Sequence, residues 1–472
     1  MPATMLVAAL ATMAIVTQDQ AQLRAAPRDT AQQQAVLWQG DSLEIRGEKM
    51  DYLQVYDHRR ERAGYIRASQ VRQVSLAPAD AGELLSVVRF LQDTPGAEAL
   101  GIAYSAAYLR AAPADAIDAE PFDALGGMAD RLGRRASGRL GKAADTVVAA
   151  HLEVVANYGV VLRGYENEGR IQMCYDGEAF RRVLALRATA RQQARAALGL
   201  TRQECLDPAQ RPHERYATEQ WRADVLDKVA LRELPPHIVN QVRMRRAAVW
   251  ATLAFERARR AQPAQDAAAR ALLELGGVVK TKLAEEDRAA WADAGVRVGS
   301  VRWAAATALP PGAGLRIVAA AGQPGETCVS LLAAGSASAP ALATRCTYGI
   351  VWPASARANA QGTALTLAVQ PMAAWREMWV FLKRGSGWTV EVLPPATVDP
   401  ELGYAEFAGW IPGAAKVLVV REAKVEGRFK RSFEVVDLAT LAVDKRADEP
   451  EFLSMFQRWQ DPAWKSQTLS LR

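Results

Sequence analysis

Histidine and cysteine are the side chains of this chain that could carry catalytic or metal chemistry, and both are scarce. The four histidines are His58, His151, His213 and His237. No two of them stand four residues apart and no His-Glu-x-x-His occurs, so no local zinc site is predicted. A cysteine nucleophile needs a histidine brought to it by the fold, and Cys174 with His151 or His213 is the pairing that the sequence offers. The alternative, which we prefer, places Cys174 in a disulfide and the histidines at the surface.

A basic, glycine-rich segment at residues 126–142 matches a phosphate-binding loop only in part. Gly133 and Gly138 have the required spacing, but Arg139 stands where the motif has lysine and no hydroxyl residue follows. We therefore predict a mobile, solvated loop. In the alternative interpretation its cations contact lipid head groups or polyanions. These cations are Arg131, Arg134, Arg135, Arg139 and Lys142. The sequence shows no catalytic motif, and we expect no cofactor and no metal.

The four cysteines fit two disulfides in an oxidising compartment. Residues 326–332 and 342–350 are predicted strands around a turn at residues 335–338, and this hairpin places Cys328 directly opposite Cys346. Cys174 and Cys205 are then paired by elimination. Four buried free thiols in a cytosolic protein are the alternative.

Residues 23–71 consist of short stretches of alternating apolar and polar residues, separated by turn residues. Leu43 and Ile45 alternate with polar neighbours, as do Leu53 and Val55. The segment from Asp57 to Arg62 is polar and forms a predicted hairpin tip. This pattern predicts a small antiparallel β-barrel.

Four short motifs in this segment follow one another in an order known from a family of binding modules. They are Leu23-Arg24-Ala25-Ala26-Pro27, Leu37 to Ile45 with its Gly40-Asp41 turn, Tyr52-Leu53-Gln54-Val55, and Gly64-Tyr65-Ile66 continuing to Val71. The segment resembles the bacterial SH3 domain, with Tyr65 in the place of a tryptophan. The resemblance covers residues 17–76 and implies a module that binds ligands without chemistry of its own.

The candidate ligand-binding residues are the aromatic residues and the hairpin tip of this module. We predict that Tyr52, Tyr56 and Tyr65, with Arg59 and Arg60 of the tip, form a groove for a peptide or glycan strand. In the alternative, Tyr52 and Tyr65 fill the barrel and the tip is merely solvated.

An apolar stretch at residues 5–16 precedes the module. It is too short to span a bilayer as a helix but has the length of a signal-peptide core, and Thr12-Met13-Ala14 offers a cleavage site. No lysine or arginine precedes it. The alternatives are a first strand of the barrel or a misassigned start. We predict export to the periplasm or medium, with no transmembrane segment after the leader.

The whole chain is predicted to be a multidomain α+β protein. Its parts are a signal peptide (1–16), an SH3-like β-barrel (17–76), an α-helical domain (77–295) and an antiparallel β-rich domain (296–472), propeller-like or a sandwich. Four tryptophans of the last part have two interpretations, a glycan-binding face or core packing, and we prefer core packing. They are Trp375, Trp379, Trp388 and Trp410.

Charge and composition restrict the function. The net charge of +6 is small for 472 residues and arginine is spread widely, so no nucleic-acid partner is expected. We predict a non-catalytic binding or scaffold protein of the cell envelope, whose partner is a cell-wall polymer or an envelope protein. The alternative is a peptidoglycan hydrolase with an active site assembled in the helical region.

Overall fold

The protein is a mixed α+β chain that divides into two compact units. The computed structural model describes residues 13–138, 141–167, 169–333, 340–397, 402–413 and 415–465. One unit comprises Met1–Gln210 with Lys228–Leu234, and the other Arg211–Asp227 with Pro235–Arg472. Among the described residues, no helix has the length and hydropathy needed to cross a membrane.

The first unit begins with a seven-stranded antiparallel sheet. Its strands are β1 (Met13–Val16), β2 (Ala21–Arg24), β3 (Gln33–Leu37), β4 (Ser42–Lys49), β5 (Tyr52–Asp57), β6 (Arg62–Arg67) and β7 (Val71–Val74). Their order is β3-β2-β6-β5-β4-β1-β7. All seven strands contribute buried side chains to one hydrophobic cluster, so the sheet surrounds a single core.

The predicted closed barrel does not form in the described residues. The edge strands β3 and β7 are not paired with each other, and β2 is joined to β6 through one residue pair, Arg24 with Tyr65. The sheet is therefore curved and open.

Strand β1 consists of residues that the sequence assigned to the leader. It pairs with β4 on one side and β7 on the other, and Ala14 and Val16 are completely buried. Residues 13–16 thus form the strand that the alternative interpretation described. The rest of the predicted leader, residues 1–12, lies outside the described residues, and its role stays a prediction.

Helices and one hairpin follow in the same unit. They are α1 (Ala81–Leu91), α2 (Glu98–Ala111), α3 (Glu120–Ser137), α4 (Lys142–Ala156), the hairpin β8 (Leu162–Asn167) with β9 (Arg170–Tyr175), α5 (Glu178–Ala185) and α6 (Ala190–Leu200). Cys174 on β9 and Cys205 beyond α6 have their sulfur atoms at disulfide distance, as predicted.

Helix α3 replaces most of the loop predicted at residues 126–142. Its glycines serve close packing instead of flexibility: a Cβ at Gly126 would lie 2.6 Å from the Phe180 ring, and one at Gly133 3.0 Å from the Met173 carbonyl oxygen. Arg131 and Arg135 form ion pairs with the buried Glu98. These two cations are therefore engaged inside the protein.

The second unit opens with four helices, the last three of which pack against one another through alanine-rich faces. They are α7 (Pro212–Asp227), α8 (Pro236–Arg259), α9 (Gln265–Gly276) and α10 (Arg288–Val301).

Two sheets complete this unit. Among the described residues their strand pairs are antiparallel with one exception, since residues 375–376 pair in parallel with residues 403–404, and the second sheet is therefore mixed, not purely antiparallel as predicted. The first has three strands, β10 (Leu315–Ala321), β11 (Thr327–Ala333) and β12 (Ala343–Thr347). The second has eight, β13 (Ile350–Ala358), β14 (Ala364–Met372), β15 (Trp375–Arg384), β16 (Gly387–Leu393), β17 (Gly403–Ile411), β18 (Lys416–Val425), β19 (Arg428–Asp437) and β20 (Val443–Ala447). Apolar residues of β10 and β11 share one cluster with those of β13, β14 and β15. The short helices α11 (Ser454–Trp459) and α12 (Pro462–Trp464) follow.

The predicted cysteine register in these sheets is confirmed. Cys328 on β11 pairs directly with Cys346 on β12, with the two sulfur atoms at disulfide distance. The turn predicted at residues 335–338 lies outside the described residues. Trp375 and Trp379 are buried, which agrees with core packing, and Trp388 and Trp410 are partly buried against apolar clusters.

Candidate functional site

The three candidate tyrosines lie on one side of the β5–β6 hairpin. In its register Tyr52 faces Arg67, Gln54 faces Tyr65, and Tyr56 faces Ala63. Residues two apart on a strand and residues directly opposite across an antiparallel pair share a face. Tyr52, Tyr65 and Tyr56 therefore form a row, here called the tyrosine face, on the side opposite the core.

The core side of the same hairpin is occupied by aliphatic residues. Leu53, Val55 and Ile66 are at most 1 % exposed and belong to the cluster shared by all seven strands. The alternative interpretation that Tyr52 and Tyr65 fill the core therefore does not describe this packing.

Tyr52 is nevertheless buried, because the segment before β3 covers it. Its hydroxyl donates to Asp29 Oδ1 at 2.6 Å, and Arg67 both donates to Asp29 and lies over the Tyr52 ring. The bond to the Asp29 carboxylate raises the pKa of Tyr52. Tyr52 thus fixes one end of the tyrosine face, and Tyr56 and Tyr65, both partly exposed, are its accessible rings.

Tyr56 is surrounded by charged and polar side chains. The Arg46 guanidinium lies 3.9 Å from its ring centroid, and the His58 ring meets it edge-on at 4.9 Å. Glu44 joins these two neighbours, since its Oε2 accepts from Arg46 at 3.2 Å and lies 2.7 Å from His58 Nε2. The Arg46 hydrogen bond, followed by that of His58, lowers the pKa of Glu44.

The hairpin tip is an ordered turn built around Asp57. Asp57 Oδ1 accepts from the backbone N–H groups of Arg59 and Arg60. Arg60 then donates to Asp57 Oδ2 at 2.7 Å and to Asp41 Oδ2 at 3.5 Å. Both carboxylates are buried. Arg60 is therefore a positioning residue that ties the tip to the turn before β4, and the tip is more than a solvated loop.

A cleft adjoins the tip and the Tyr56 end of the tyrosine face. This N-terminal cleft has a volume of about 610 Å³ and is bounded by the sheet on one side and by α2, α4 and the residues after α4 on the other. It is lined by Met13, Gly40, Asp41, Ser42, Glu44, Asp57, His58, Arg59, Arg110, Val154, Asn157 and Tyr158. Glu44 and His58 line the cleft, and His58 also contacts the Tyr56 ring, so the cleft begins directly beside the Tyr56 end of the tyrosine face.

The back of the N-terminal cleft is rigidly built. The Tyr158 hydroxyl donates to the Gly40 carbonyl at 2.6 Å, and burial raises the pKa of Tyr158 to about 12. Gly40 has φ +94°, and a Cβ there would lie 2.6 Å from the Ala99 carbonyl oxygen. Only glycine fits this close approach of the turn to α2.

Cations are the side chains of the cleft best placed to contact a ligand. Arg59 is one-third exposed and forms two ion pairs, with the mostly exposed Glu153 at 3.1 Å and with the buried Asp41 at 3.8 Å. Arg110 contacts Met13 Sδ at 3.7 Å and forms no ion pair with the described residues. The Asp41 and Asp57 carboxylates are occupied by Arg60 and by backbone N–H groups. The cleft therefore offers guanidinium donors beside partly exposed aromatic rings.

The residues proposed for peptidase chemistry are not brought together as a nucleophile and base. Cys174 is bonded to Cys205. His151 is buried, and its Nε2 lies 2.7 Å from Asp19 Oδ1, which holds α4 to the turn after β1. His213 and His237 are exposed residues of the second unit. The Cys174 pairing gives no thiolate and so no support for this chemistry.

One group among the described residues brings three potential metal ligands together, namely Glu326, Cys328 and Cys346. The two sulfur atoms are bonded to each other, so they do not offer the thiolate pair that a soft metal ion requires.

Several site residues could not be identified from the sequence. Asp41 was visible only as a turn residue, and Glu44 only as a polar position of a strand. Arg110 and Tyr158 belong to helical segments far along the chain.

Comparison with protein-family models, with curated proteins and with solved structures gave no match for this chain.

Proposed function

We propose that this chain is a non-catalytic binding protein of the cell envelope, and that its N-terminal sheet is an SH3-like module. Its ligand is a peptide or glycan strand of the cell wall. The ligand lies along the tyrosine face at Tyr56 and Tyr65 and continues past the hairpin tip into the N-terminal cleft. Arg59 and Arg110 provide donors to the polar or anionic groups of the strand.

The observation that carries the proposal is the continuity of this surface. Partly exposed tyrosine rings give large, rigid contact areas with little conformational freedom to lose. The row of rings continues into a cleft whose rim supplies guanidinium groups, which bind carboxylates in two-point fashion. Rings followed by such donors suit an extended ligand with both apolar and anionic parts.

The envelope location rests on the cysteines. Two cysteine pairs lie at disulfide distance, and disulfides persist in oxidising compartments such as the periplasm. In this proposal the two sheets of the second unit, which share an apolar core, form a β-sandwich.

The test is a pull-down of the full chain with insoluble peptidoglycan. Tyr56→Ala and Tyr65→Ala should each weaken binding about tenfold, which corresponds to about 1.4 kcal/mol. The matched control is Tyr348→Ala, which removes a tyrosine that is 68 % exposed in the other unit and should bind as the parent chain does.

The same preparations separate the competing functions. Equal binding by all three variants would show that the tyrosine face is not the surface that binds the wall. No binding by the parent chain would rule out the wall as the ligand. A co-purifying protein that is lost with Tyr56→Ala would assign the face to a partner protein instead. Release of soluble wall fragments by the parent chain would establish the hydrolase.

A further inference from the structure

A second cleft lies in the C-terminal unit, on one face of the eight-stranded sheet. This C-terminal cleft has a volume of about 680 Å³. It is lined by Pro395, Ala396, Thr397, Arg421, Ala423, Val425, Phe429, Lys430, Arg431, Ser432, Glu434, Arg446, Asp448 and Glu449. Four of these side chains are cations and three are carboxylates, so the cleft lining carries a small net positive charge.

The register of three strands brings the key residues to one face. Arg421 on β18 faces Ser432 on β19, and Ala423 faces Lys430. Glu434 on β19 faces Arg446 on β20. Since Lys430, Ser432 and Glu434 are two residues apart, all of these side chains lie on the same side of the sheet.

Glu434 is a buried carboxylate that orients two guanidinium groups. It is fully buried within the sheet. Its Oε1 accepts from Arg446 Nε at 2.9 Å and from the Ser432 hydroxyl at 3.0 Å, and its Oε2 lies 3.0 Å from Arg421 Nε. Arg421 also donates to the Pro394 carbonyl. Glu434 thus forms a hydrogen bond with Nε of Arg446 and an ion pair with Nε of Arg421, and the net charge of these three side chains is positive.

Outward-facing donors remain on these cations. The Arg446 side chain is 60 % exposed, and its Nη1 makes no hydrogen bond to the described residues. Lys430 is exposed and forms no ion pair with them. At the rim, Arg431 is paired with Glu449 at 3.3 Å.

We propose that the C-terminal cleft binds an oxyanion, a carboxylate or a phosphate group, between Arg446, Arg421 and Lys430. The buried Glu434 acts as a positioning residue: it fixes the guanidinium planes before the ligand arrives, so less conformational entropy is lost on binding. Apolar Val425 and Phe429 line the same cleft, and the group that bears the oxyanion packs against them. This site is independent of the function proposed for the first unit.

The test is calorimetric titration of the full chain with two probes, inorganic phosphate and N-acetylalanine. Saturable binding of either probe is expected at millimolar concentration and should weaken as sodium chloride is raised. Tighter binding of phosphate would identify the ligand as a phosphorylated compound. Tighter binding of N-acetylalanine would identify it as a compound with a chain-terminal carboxylate. The absence of saturable binding by both probes would overturn the proposal.

Variants decide whether the cleft is the site. Lys430→Gln and Arg446→Gln should each raise the dissociation constant at least fivefold. Lys430→Gln changes an exposed side chain and leaves the Glu434 cluster intact, so its effect does not depend on refolding of the site. The matched control is Lys445→Gln, which removes the same charge from the neighbouring residue of β20, on the opposite face of the sheet. An equal loss in the control would show unspecific charge attraction and reject the cleft.

Discussion

Two kinds of ion-pair cluster occur in this protein: those whose side chains are all buried, and those that keep an exposed donor. Glu406 is 2 % exposed and forms ion pairs with Arg302 and Arg376, which are also buried. Arg376 donates in addition to the Gly299 carbonyl at 2.6 Å. The cluster holds the end of α10 and the residues after it against the sheet, and it has no exposed donor comparable to Arg446 of the C-terminal cleft. We assign it to stability.

The Glu406→Gln variant tests this assignment. It should lower the free energy of unfolding by about 3–5 kcal/mol, because two buried guanidinium groups lose their counter-charge. Urea unfolding measures the change. The control is Glu285→Gln, whose partner Arg288 is 70 % exposed, and it should cost less than about 1 kcal/mol. A similar small cost for Glu406→Gln would show that the buried cluster is dispensable.

Asp123 on α3 gives a prediction in the pH dependence of stability. It is buried, its Oδ2 accepts from Arg195 at 3.1 Å, and its Oδ1 has no partner among the described residues. Burial raises the pKa of Asp123 to about 6, although Arg195 opposes the shift. The folded chain therefore keeps a proton that the unfolded chain releases near pH 4, and stability falls as the pH rises from about 4 to 6.

Asp123→Asn should remove this loss. At pH 7.5 we expect the variant to be more stable than the parent chain by about 1–3 kcal/mol, since one pKa unit corresponds to about 1.4 kcal/mol. At pH 4 the two should unfold at the same urea concentration. Asp115→Asn, at an exposed carboxylate, should change neither curve. A variant whose stability differs equally at both pH values would contradict the assigned cause.

At the scale of elements, strand β1 is an inner strand of the N-terminal sheet, paired with β4 and β7. Met13 pairs with Glu44 on one side and Val74 on the other, and Ile15 pairs with Ser42 and Arg72. Ala14, Ile15 and Val16 are at most 2 % exposed. Cleavage at Thr12-Met13-Ala14 would divide this strand.

We therefore expect a chain that starts at Thr17 to be less stable than one that starts at Met13. The loss should exceed about 3 kcal/mol, because each buried isoleucine or valine contributes about 1.5–3 kcal/mol. Thermal unfolding followed by circular dichroism measures it. Equal transition temperatures would show that β1 is not required, and the predicted cleavage site would then be compatible with a stable mature protein.

Local patterns at this scale were reliable where both partners of a contact lie close in sequence. The alternation in β4 to β6 and the cysteine register of β11 and β12 are of this kind. The glycines of α3 predict a loop, and this prediction is wrong because the residues that pack against them, Phe180 and Met173, are distant in sequence. Glycine count alone does not separate a flexible loop from a tightly packed helix.

At the scale of the molecule, the division into two units runs through the helical region. Helix α7 belongs to the second unit, although residues 228–234, which follow it, belong to the first unit. The Leu226 carbonyl at the end of α7 accepts from Nε and Nη2 of Arg246 on α8, a residue that is 4 % exposed. The loss of α7 would leave this guanidinium without its carbonyl partner.

This arrangement predicts where the chain can be divided. A fragment of residues 211–472 should unfold cooperatively, and at a temperature at least several degrees above that of residues 235–472, because removal of a buried hydrogen-bond partner costs about 1–3 kcal/mol. Differential scanning calorimetry of both fragments measures the difference. Identical transitions would show that α7 is not an integral part of the second unit.

The sequence by itself determined the features that depend on neighbours along the chain. These are the mixed α+β composition, the hairpin that carries Tyr52, Tyr56 and Tyr65 on alternate positions, and the pairing of Cys328 with Cys346. Period-two alternation and short hairpins fix which side chains share a face, so no distant contact is needed.

The tertiary structure alone decided which of those side chains are accessible and which charges are held in place. It covered Tyr52 with Asp29, joined Arg60 to Asp41 and Asp57, and buried Glu434 between two arginines. Burial and ion pairing depend on residues brought together from distant parts of the chain. The free energy of a charged or aromatic group is set by that environment, which no local pattern encodes.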